Sequence, residues 1–188
     1  MSTGYKITED DGLYYVTLQV VQWVDVFTRP VYRYIIIDSL RYCIENKSLV
    51  VFAYVIMSNH IHLLVQSTIG KLSDTLRDMK RHTSKTIIDA IKEGNESKRE
   101  WMLEIFRQEA SKHIRNNEYQ FWTHENHAEH IYSNKFIQQK LEYIHNNPVR
   151  AEIVEKPEDY LFSSASDYAG LKGILEVEIL SLPAIVIK

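Results

Sequence analysis

The sequence predicts an α+β fold in which an antiparallel sheet carries its helices mainly on one face. Two observations indicate this class. Segments that alternate apolar and polar residues are separated by stretches with helical periodicity, and two apolar segments follow each other directly, as the strands of an antiparallel hairpin do. The length of 188 residues suits one domain, and an apolar content of 45% is ordinary for a globular protein.

The first half of the chain predicts a strand, a helix and a hairpin. Val16, Leu18 and Val20 alternate with other residues in the pattern of a strand. Pro30 fits the first turn of a helix, because its missing N–H is not needed there. Ser58-Asn59 forms a tight turn between two apolar strands. The predicted ranges are 14–23 for the first strand, 31–46 for the helix, and 48–57 and 60–66 for the hairpin strands.

The second half is mainly helical. A stripe of apolar residues predicts a long helix over 70–94, and helical spacing resumes over 101–115. We assign a short fourth strand and a loop to 119–131. The last predicted helix covers 134–146 and ends before Pro148, because the residue preceding a proline is pushed out of the helical region. This order of elements is that of a ferredoxin-like or RRM-like α+β fold.

Length and composition predict the domain organisation and the cellular compartment of the protein. We expect residues 1–150 to form one domain and residues 151–188 to form a C-terminal extension packed on it. The single cysteine, Cys43, cannot form an internal disulfide, which indicates a reducing cytoplasm. No stretch approaches the roughly 18 consecutive apolar residues of a membrane span, and residues 1–12 lack the layout of a signal peptide. The expected location is cytoplasmic, with no membrane partner.

His60 and His62 are the most informative residues of the chain. One apolar residue separates them at the start of a predicted strand, and residues i and i+2 of a strand share a face. Both imidazoles therefore point the same way, and two neighbouring imidazoles on a rigid strand are half of a metal site. The alternative is a half-buried strand whose exposed face happens to carry histidine.

Tyr143 and Asn147 form a second candidate pair in the last predicted helix. They are four residues apart and share one helix face if the helix reaches Asn147. The amide oxygen of Asn147 could complete a divalent-cation site, and a tyrosine near such a site could attack a phosphodiester and form a phosphotyrosine. The alternative is a packing tyrosine, followed by an Asn-Asn-Pro sequence that ends the helix.

The strings around these residues resemble those of the IS200-like Y1 transposases, which are HUH endonucleases, and in particular the branch of the REP-associated tyrosine transposases. His60-Ile61-His62 is similar to the His-hydrophobic-His signature of the HUH endonucleases. The resemblance extends from about residue 14 to residue 170. The resemblance rests on four sequence segments, which occur in this order: YVIMSNHIHLL (54–64), KRHTSK (80–85), YIHNNPVRA (143–151) and PEDYLFSSA (157–165).

The resemblance implies a metal-dependent single-stranded DNA endonuclease and strand transferase, that is, a transposase. By the family pattern His60 and His62 are metal ligands, Tyr143 is the nucleophile, and Asn147 is the third ligand, where the related insertion-sequence enzymes use Gln. The attack would leave a 5'-phosphotyrosine and a free 3'-hydroxyl, and a 3'-hydroxyl of a second strand would reverse the linkage. The implied cofactor is Mg²⁺ or Mn²⁺, and the implied partner is single-stranded or hairpin DNA. A monomer and a homodimer with exchanged tyrosine helices both stay open.

Charge adds a candidate DNA-binding surface. The net charge of −3 does not by itself indicate a nucleic-acid binder, because phosphate contacts need local Lys and Arg. Arg77, Lys80, Arg81 and Lys85 supply such a cluster, which we interpret as DNA-binding, with a solvated helix face as the alternative. Trp122 and its aromatic neighbours could stack on unpaired bases or belong to the core. Two other functions stay open: a non-cleaving DNA-hairpin-binding or regulatory protein of the same fold, and a phosphoesterase that uses metal-activated water.

Overall fold

A four-stranded antiparallel sheet with the strand order β2-β3-β1-β4 forms the centre of the fold, and this confirms the predicted α+β class. The computed structural model describes residues 7, 9, 11–112 and 118–181. The strands are β1 (Tyr14–Gln19), β2 (Leu49–Ile56), β3 (His60–Ser67) and β4 (Glu129–His130). The helices are α1 (Pro30–Asn46), α2 (Leu72–Glu93), α3 (Arg99–Ser111), α4 (Asn134–Arg150) and α5 (Ala165–Tyr168).

The pairing of β1 with β3 sets which side chains share a face of the sheet. Thr17 lies opposite His62, and Gln19 lies opposite His60. Because side chains alternate along each strand, these four side chains point to one face, which we call the histidine face. The intervening apolar residues of both strands point to the other face and are fully buried.

Helices α1 and α2 form a layer on the apolar face. Helix α1 packs against β2 and α2, and buries Ile36, Leu40 and Cys43. Within the described ranges, every helix is too short or too polar to cross a membrane. The buried residues of α2 recur at helical spacing and are Leu72, Thr75, Leu76, Met79, Thr83, Ile87, Ile88 and Ile91.

Helix α4 lies over the histidine face and packs against β2 and β3. It continues to Arg150, so the prediction that it ends before Pro148 is wrong. Pro148 removes one hydrogen bond of the last turn. The turn is nevertheless closed by the N–H of Ala151, which donates to the carbonyl of Asn147, and Pro148 itself is buried. Asn147 therefore stays on the same helix as Tyr143.

The first strand ends at Gln19 and not, as predicted, at Trp23. The chain instead makes a short 3₁₀ turn over Val21–Trp23, in which Gln22 and Trp23 have φ angles of 53° and 54°. Residues with side chains rarely adopt this left-handed conformation, so the apolar alternation of the sequence gave no sign of the turn.

The remaining predicted elements agree closely with the structure. The hairpin strands flank Ser58-Asn59 as expected, and a short strand lies within 119–131. The helix predicted over 101–115 is α3, and positions 113–117 lie outside the described residues, as do positions 182–188 of the predicted extension.

Residues 157–181 run along the outer edge of β2. The N–H of Ile56 donates to the carbonyl of Phe162, and the N–H of Glu178 donates to the carbonyl of Val51, both at 3.0 Å. This segment therefore gives the outer edge of β2 backbone partners. The division of the chain into a domain and an extension stays a prediction.

Candidate active site

His62 is held from β1 and presents an unpartnered nitrogen. Its Nδ1 lies 2.7 Å from the Tyr15 hydroxyl and 2.9 Å from the Thr17 hydroxyl. Burial, with smaller contributions from His60 and Lys140, lowers the pKa of His62 to about 3, so the ring is neutral near pH 7. When Nδ1–H donates to one of these hydroxyls, the lone pair is on Nε2, which is buried and has no hydrogen-bond partner among the described residues.

His60 is held in one tautomer by its neighbour Asn59. The Asn59 amide nitrogen donates to the Asp25 carboxylate at 2.8 Å and to the Trp23 carbonyl at 3.3 Å, which fixes the orientation of the amide. Its oxygen therefore faces His60 Nδ1, 2.8 Å away, and must accept from it. The proton is on Nδ1, the lone pair of His60 is on Nε2, and burial lowers the pKa of this ring as well.

Tyr143 lies beside the two histidines. Its ring centroid is 5.2 Å from that of His62, and the His60 and His62 centroids are 4.7 Å apart. The tyrosine is 39% exposed, and the Arg150 guanidinium lies 5.3 Å from its ring centroid. All these residues belong to one chain, so the arrangement does not require an exchange of tyrosine helices between two copies.

Asn147 follows Tyr143 by about one helical turn and has a buried amide nitrogen. Its Nδ2 is buried, and no residue in the described part of the chain hydrogen-bonds to it. Because the two amide ends are nearly isosteric, a half-turn of the amide would present Oδ1 at that position. Two imidazole nitrogens and one amide oxygen, each at a buried or partly buried position, are a donor set that suits a divalent cation such as Mn²⁺. The residues therefore fit the implied metal, and their role as ligands stays a prediction.

The predicted DNA-binding residues lie apart from this site, on α2. The ammonium of Lys80 is engaged by the protein: it donates to the Thr123 carbonyl at 2.8 Å and to the Asn126 amide oxygen at 2.6 Å, and burial lowers its pKa to about 8. Arg81 and Lys85 are exposed and line a groove of about 730 Å³ between α2 and residues 118–126.

Arg77 lines the same groove, is exposed and is paired with aspartates of its own helix, and Arg81 shares one of these partners, since its guanidinium also lies 3.5 Å from the Asp78 carboxylate. The Arg77 guanidinium lies 2.6 Å from the Asp74 carboxylate and 3.5 Å from that of Asp78. Trp122 belongs to the core, since it is 4% exposed and donates from its indole N–H to the Thr83 hydroxyl at 3.0 Å.

Sequence reasoning missed the residues that orient the histidines. Tyr15 and Thr17 share a strand face, but only the pairing of β1 with β3 brings them to His62. Asn59 carried a signal, because a side-chain amide directly precedes His60 in the turn. Asp25 carried none, since it lies in a loop distant in sequence.

Comparison with known proteins supports the fold. No protein-family model and no curated protein sequence matches this chain. A solved structure of a REP-associated tyrosine transposase bound to a REP hairpin is similar over 100% of both chains, with a TM-score of 0.61 and 19% identity. A candidate transposase from Deinococcus radiodurans R1 has a TM-score of 0.45 and 16% identity, covering 78% of this chain and 97% of the other. The first likeness shows a shared fold.

Proposed function

We propose that this chain, which has the fold of a REP-associated tyrosine transposase, is a single-stranded DNA endonuclease and strand transferase that acts through a 5'-phosphotyrosine. The observation that carries the proposal is the placement of Tyr143 against His62, with ring centroids 5.2 Å apart within one chain. A purely packing role for the tyrosine would not explain why the two neutral imidazoles beside it have Nε2 atoms available to a ligand. A phosphodiester brought to this position would meet a nucleophile and a metal site together.

The proposed reaction exchanges one phosphoester bond for another. The phenolic oxygen of Tyr143 bonds to the phosphorus of a phosphodiester while the bond from phosphorus to the 3'-oxygen breaks. The phenol loses its proton to solvent, and the released 3'-oxygen takes up a proton. Attack on the phosphotyrosine by the 3'-hydroxyl of a second strand reverses the exchange, so the joining step needs no further energy source.

His60 and His62 would hold the metal through Nε2, with Asn147 as the proposed third ligand. A Mg²⁺ or Mn²⁺ ion held there would polarise a phosphodiester oxygen and stabilise the negative charge that develops on it. The Nε2 lone pairs are available when Nδ1–H of each ring donates its proton, from His60 to the Asn59 amide oxygen and from His62 to the hydroxyl of Tyr15 or Thr17. Because Mn²⁺ accepts imidazole nitrogen more readily than Mg²⁺ does, it is the first metal to test.

Hairpin-forming or palindromic DNA is the proposed substrate. The solved structure that shares this fold is described as bound to a REP hairpin. Arg81 and Lys85 are exposed along one groove and are the proposed phosphate contacts, with Arg77 beside them. Lys80 was predicted as a fourth contact. Its ammonium is engaged by Asn126 and by a loop carbonyl, so we propose that it positions that loop along the groove.

A covalent adduct tests the proposal. The protein is incubated with Mn²⁺ and single-stranded hairpin DNA labelled at its 3' end, because the part of the strand beyond the nick stays attached to the protein. A band of reduced mobility on a denaturing gel is expected from the wild type and not from Tyr143→Phe, which should still bind the DNA. Tyr132→Phe is the matched control, since Tyr132 is 83% exposed, and it should form the adduct normally.

Other outcomes would favour the rival functions. An adduct that survives Tyr143→Phe would show that another residue is the nucleophile. Cleavage without an adduct would indicate a phosphoesterase that uses water. Tight binding of hairpins without cleavage in either metal would favour the non-cleaving hairpin-binding protein, which the hairpin-bound structure of the same fold also supports.

A further inference from the structure

Trp23 is an exposed indole beside the candidate active site. The residue is 57% exposed, and its ring centroid lies 5.9 Å from that of His60, with the two planes at 80°. Trp122, by comparison, is packed in the core and 4% exposed. A large aromatic surface is thus left open to solvent directly next to a proposed metal ligand.

The backbone holds Trp23 in this position at a cost in free energy. Gln22 and Trp23 are both left-handed, a conformation that side chains disfavour. The turn is fixed by the N–H of Val21, which donates to the Phe121 carbonyl at 2.9 Å, and by the Asn59 amide, which donates to the Trp23 carbonyl at 3.3 Å. Strain of this kind is concentrated at functional sites. Its effect here is to end β1 and place the indole beside His60.

A cavity of about 300 Å³ opens next to the indole. Gln19 lines it and lies opposite His60 in the sheet, so the cavity borders the candidate active site. Gln120 and Thr123 add an amide and a hydroxyl to the lining. Glu109 adds a carboxylate, which disfavours a phosphate in the cavity and is engaged by the protein: it accepts from the Gln22 amide at 2.9 Å and lies 2.7 Å from the Lys112 ammonium.

We propose that Trp23 and this cavity bind one unpaired nucleotide of the DNA next to the scissile phosphate, with its base stacked on the indole and its edge directed to Gln19 and Gln120. The position of the scissile phosphate rests on the proposed function. The indole can stack on the π-face that every base presents, and the side-chain amides can hydrogen-bond to base edges. The phosphate of the same nucleotide would lie in the neighbouring candidate active site. Removal of such a stacking partner weakens binding by about 5- to 150-fold.

Binding without metal tests this inference. The probe is a fluorescent DNA hairpin with oligothymidine extensions on both ends, compared by anisotropy with the same hairpin lacking extensions. Trp23→Ala is expected to weaken binding of the extended hairpin by about 5- to 150-fold and to leave the blunt hairpin unchanged. Trp23→Phe should keep most of the affinity, whereas Trp23→Leu should not. Trp101→Ala, which removes an indole that is 53% exposed on α3, should have no effect.

Abasic substitution locates the nucleotide. In the wild type, one abasic position of the extension should weaken binding, and in Trp23→Ala the same substitution should have no further effect. The inference is overturned if Trp23→Leu binds the extended hairpin as tightly as the wild type, or if the two losses are fully additive. The binding assay contains no metal, so it is separate from the adduct assay. If the stacking inference is wrong, DNA binding will not depend on Trp23. If the proposed function is wrong, the covalent adduct will be missing.

Discussion

Replacing Asn59 with alanine should weaken Mn²⁺ binding by about 5- to 25-fold. The size of this change is the sum of two contributions. His60 loses a 2.8 Å hydrogen bond that strengthens when a metal on Nε2 makes Nδ1–H a more acidic donor; this gain, the difference between a charge-assisted and a neutral hydrogen bond, is about 0.5–1.5 kcal/mol. The freed ring must also select one of two tautomers before it can bind metal, which adds about 0.4 kcal/mol, or RT ln 2. The total of about 0.9–1.9 kcal/mol corresponds to the stated factor and lies near the lower end of what outer hydrogen-bond partners of metal ligands usually contribute.

Two measurements check this reasoning. Calorimetric titration with Mn²⁺ compares the wild type, Asn59→Ala and the control Asn46→Ala, whose amide only donates to the Tyr42 carbonyl on α1. Nitrogen chemical shifts of His60 in the metal-free wild type should show the proton on Nδ1, and a mixture of tautomers in Asn59→Ala. A wild-type proton on Nε2, or a Mn²⁺ affinity of Asn59→Ala equal to that of the wild type, would refute the argument.

Two further predictions concern stability. Thr83→Val should lower the free energy of unfolding by about 1–3 kcal/mol, because the buried indole N–H of Trp122 loses its acceptor; urea unfolding measures this against Thr83→Ser, which keeps the hydroxyl, and an unchanged Val variant would contradict it. Glu96→Gln should reduce the acid sensitivity of the fold. Burial opposes the charge of Glu96, but hydrogen bonds from the Lys98 N–H and from side chains including Arg29 outweigh it and lower its pKa below the ordinary 4.5. The ionised form of Glu96 therefore contributes stability above about pH 4.5, and this contribution is lost as the pH falls through the lower pKa of the folded state. The difference in unfolding free energy between wild type and Glu96→Gln should shrink over that pH range. A difference that does not depend on pH would argue against the assignment.

Patterns that are local in sequence predicted much of the fold. Helix α1 and the hairpin of β2 and β3 depend on spacing, on Pro30 and on one tight turn, all of which can be seen within a few residues. The register of β1 against β3 is not local. For that reason His60 and His62 could be placed on one face from sequence, while the hydroxyls of Tyr15 and Thr17 that hold His62 could not be assigned to it.

Two cases show what spacing cannot reveal. Pro148 was expected to end its helix, but burial and the closing hydrogen bonds of the last turn outweigh the local preference. In the basic cluster, Lys80 and Arg81 look equivalent in sequence. Only the fold shows that the Lys80 ammonium faces Asn126 and a loop carbonyl, whereas Arg81 is exposed.

The segment that lies along β2 also bears on self-association. Strand β2 reads LVVFAYVI, eight apolar residues without a charge, at the edge of the sheet. An open edge of this composition is a template for pairing with other chains and for aggregation. Residues 157–181 occupy it through backbone hydrogen bonds such as that of Ile56 with Phe162. A chain shortened to residues 1–150 would expose that edge. Residues 157–181 therefore protect the folded protein from edge-to-edge pairing with other chains.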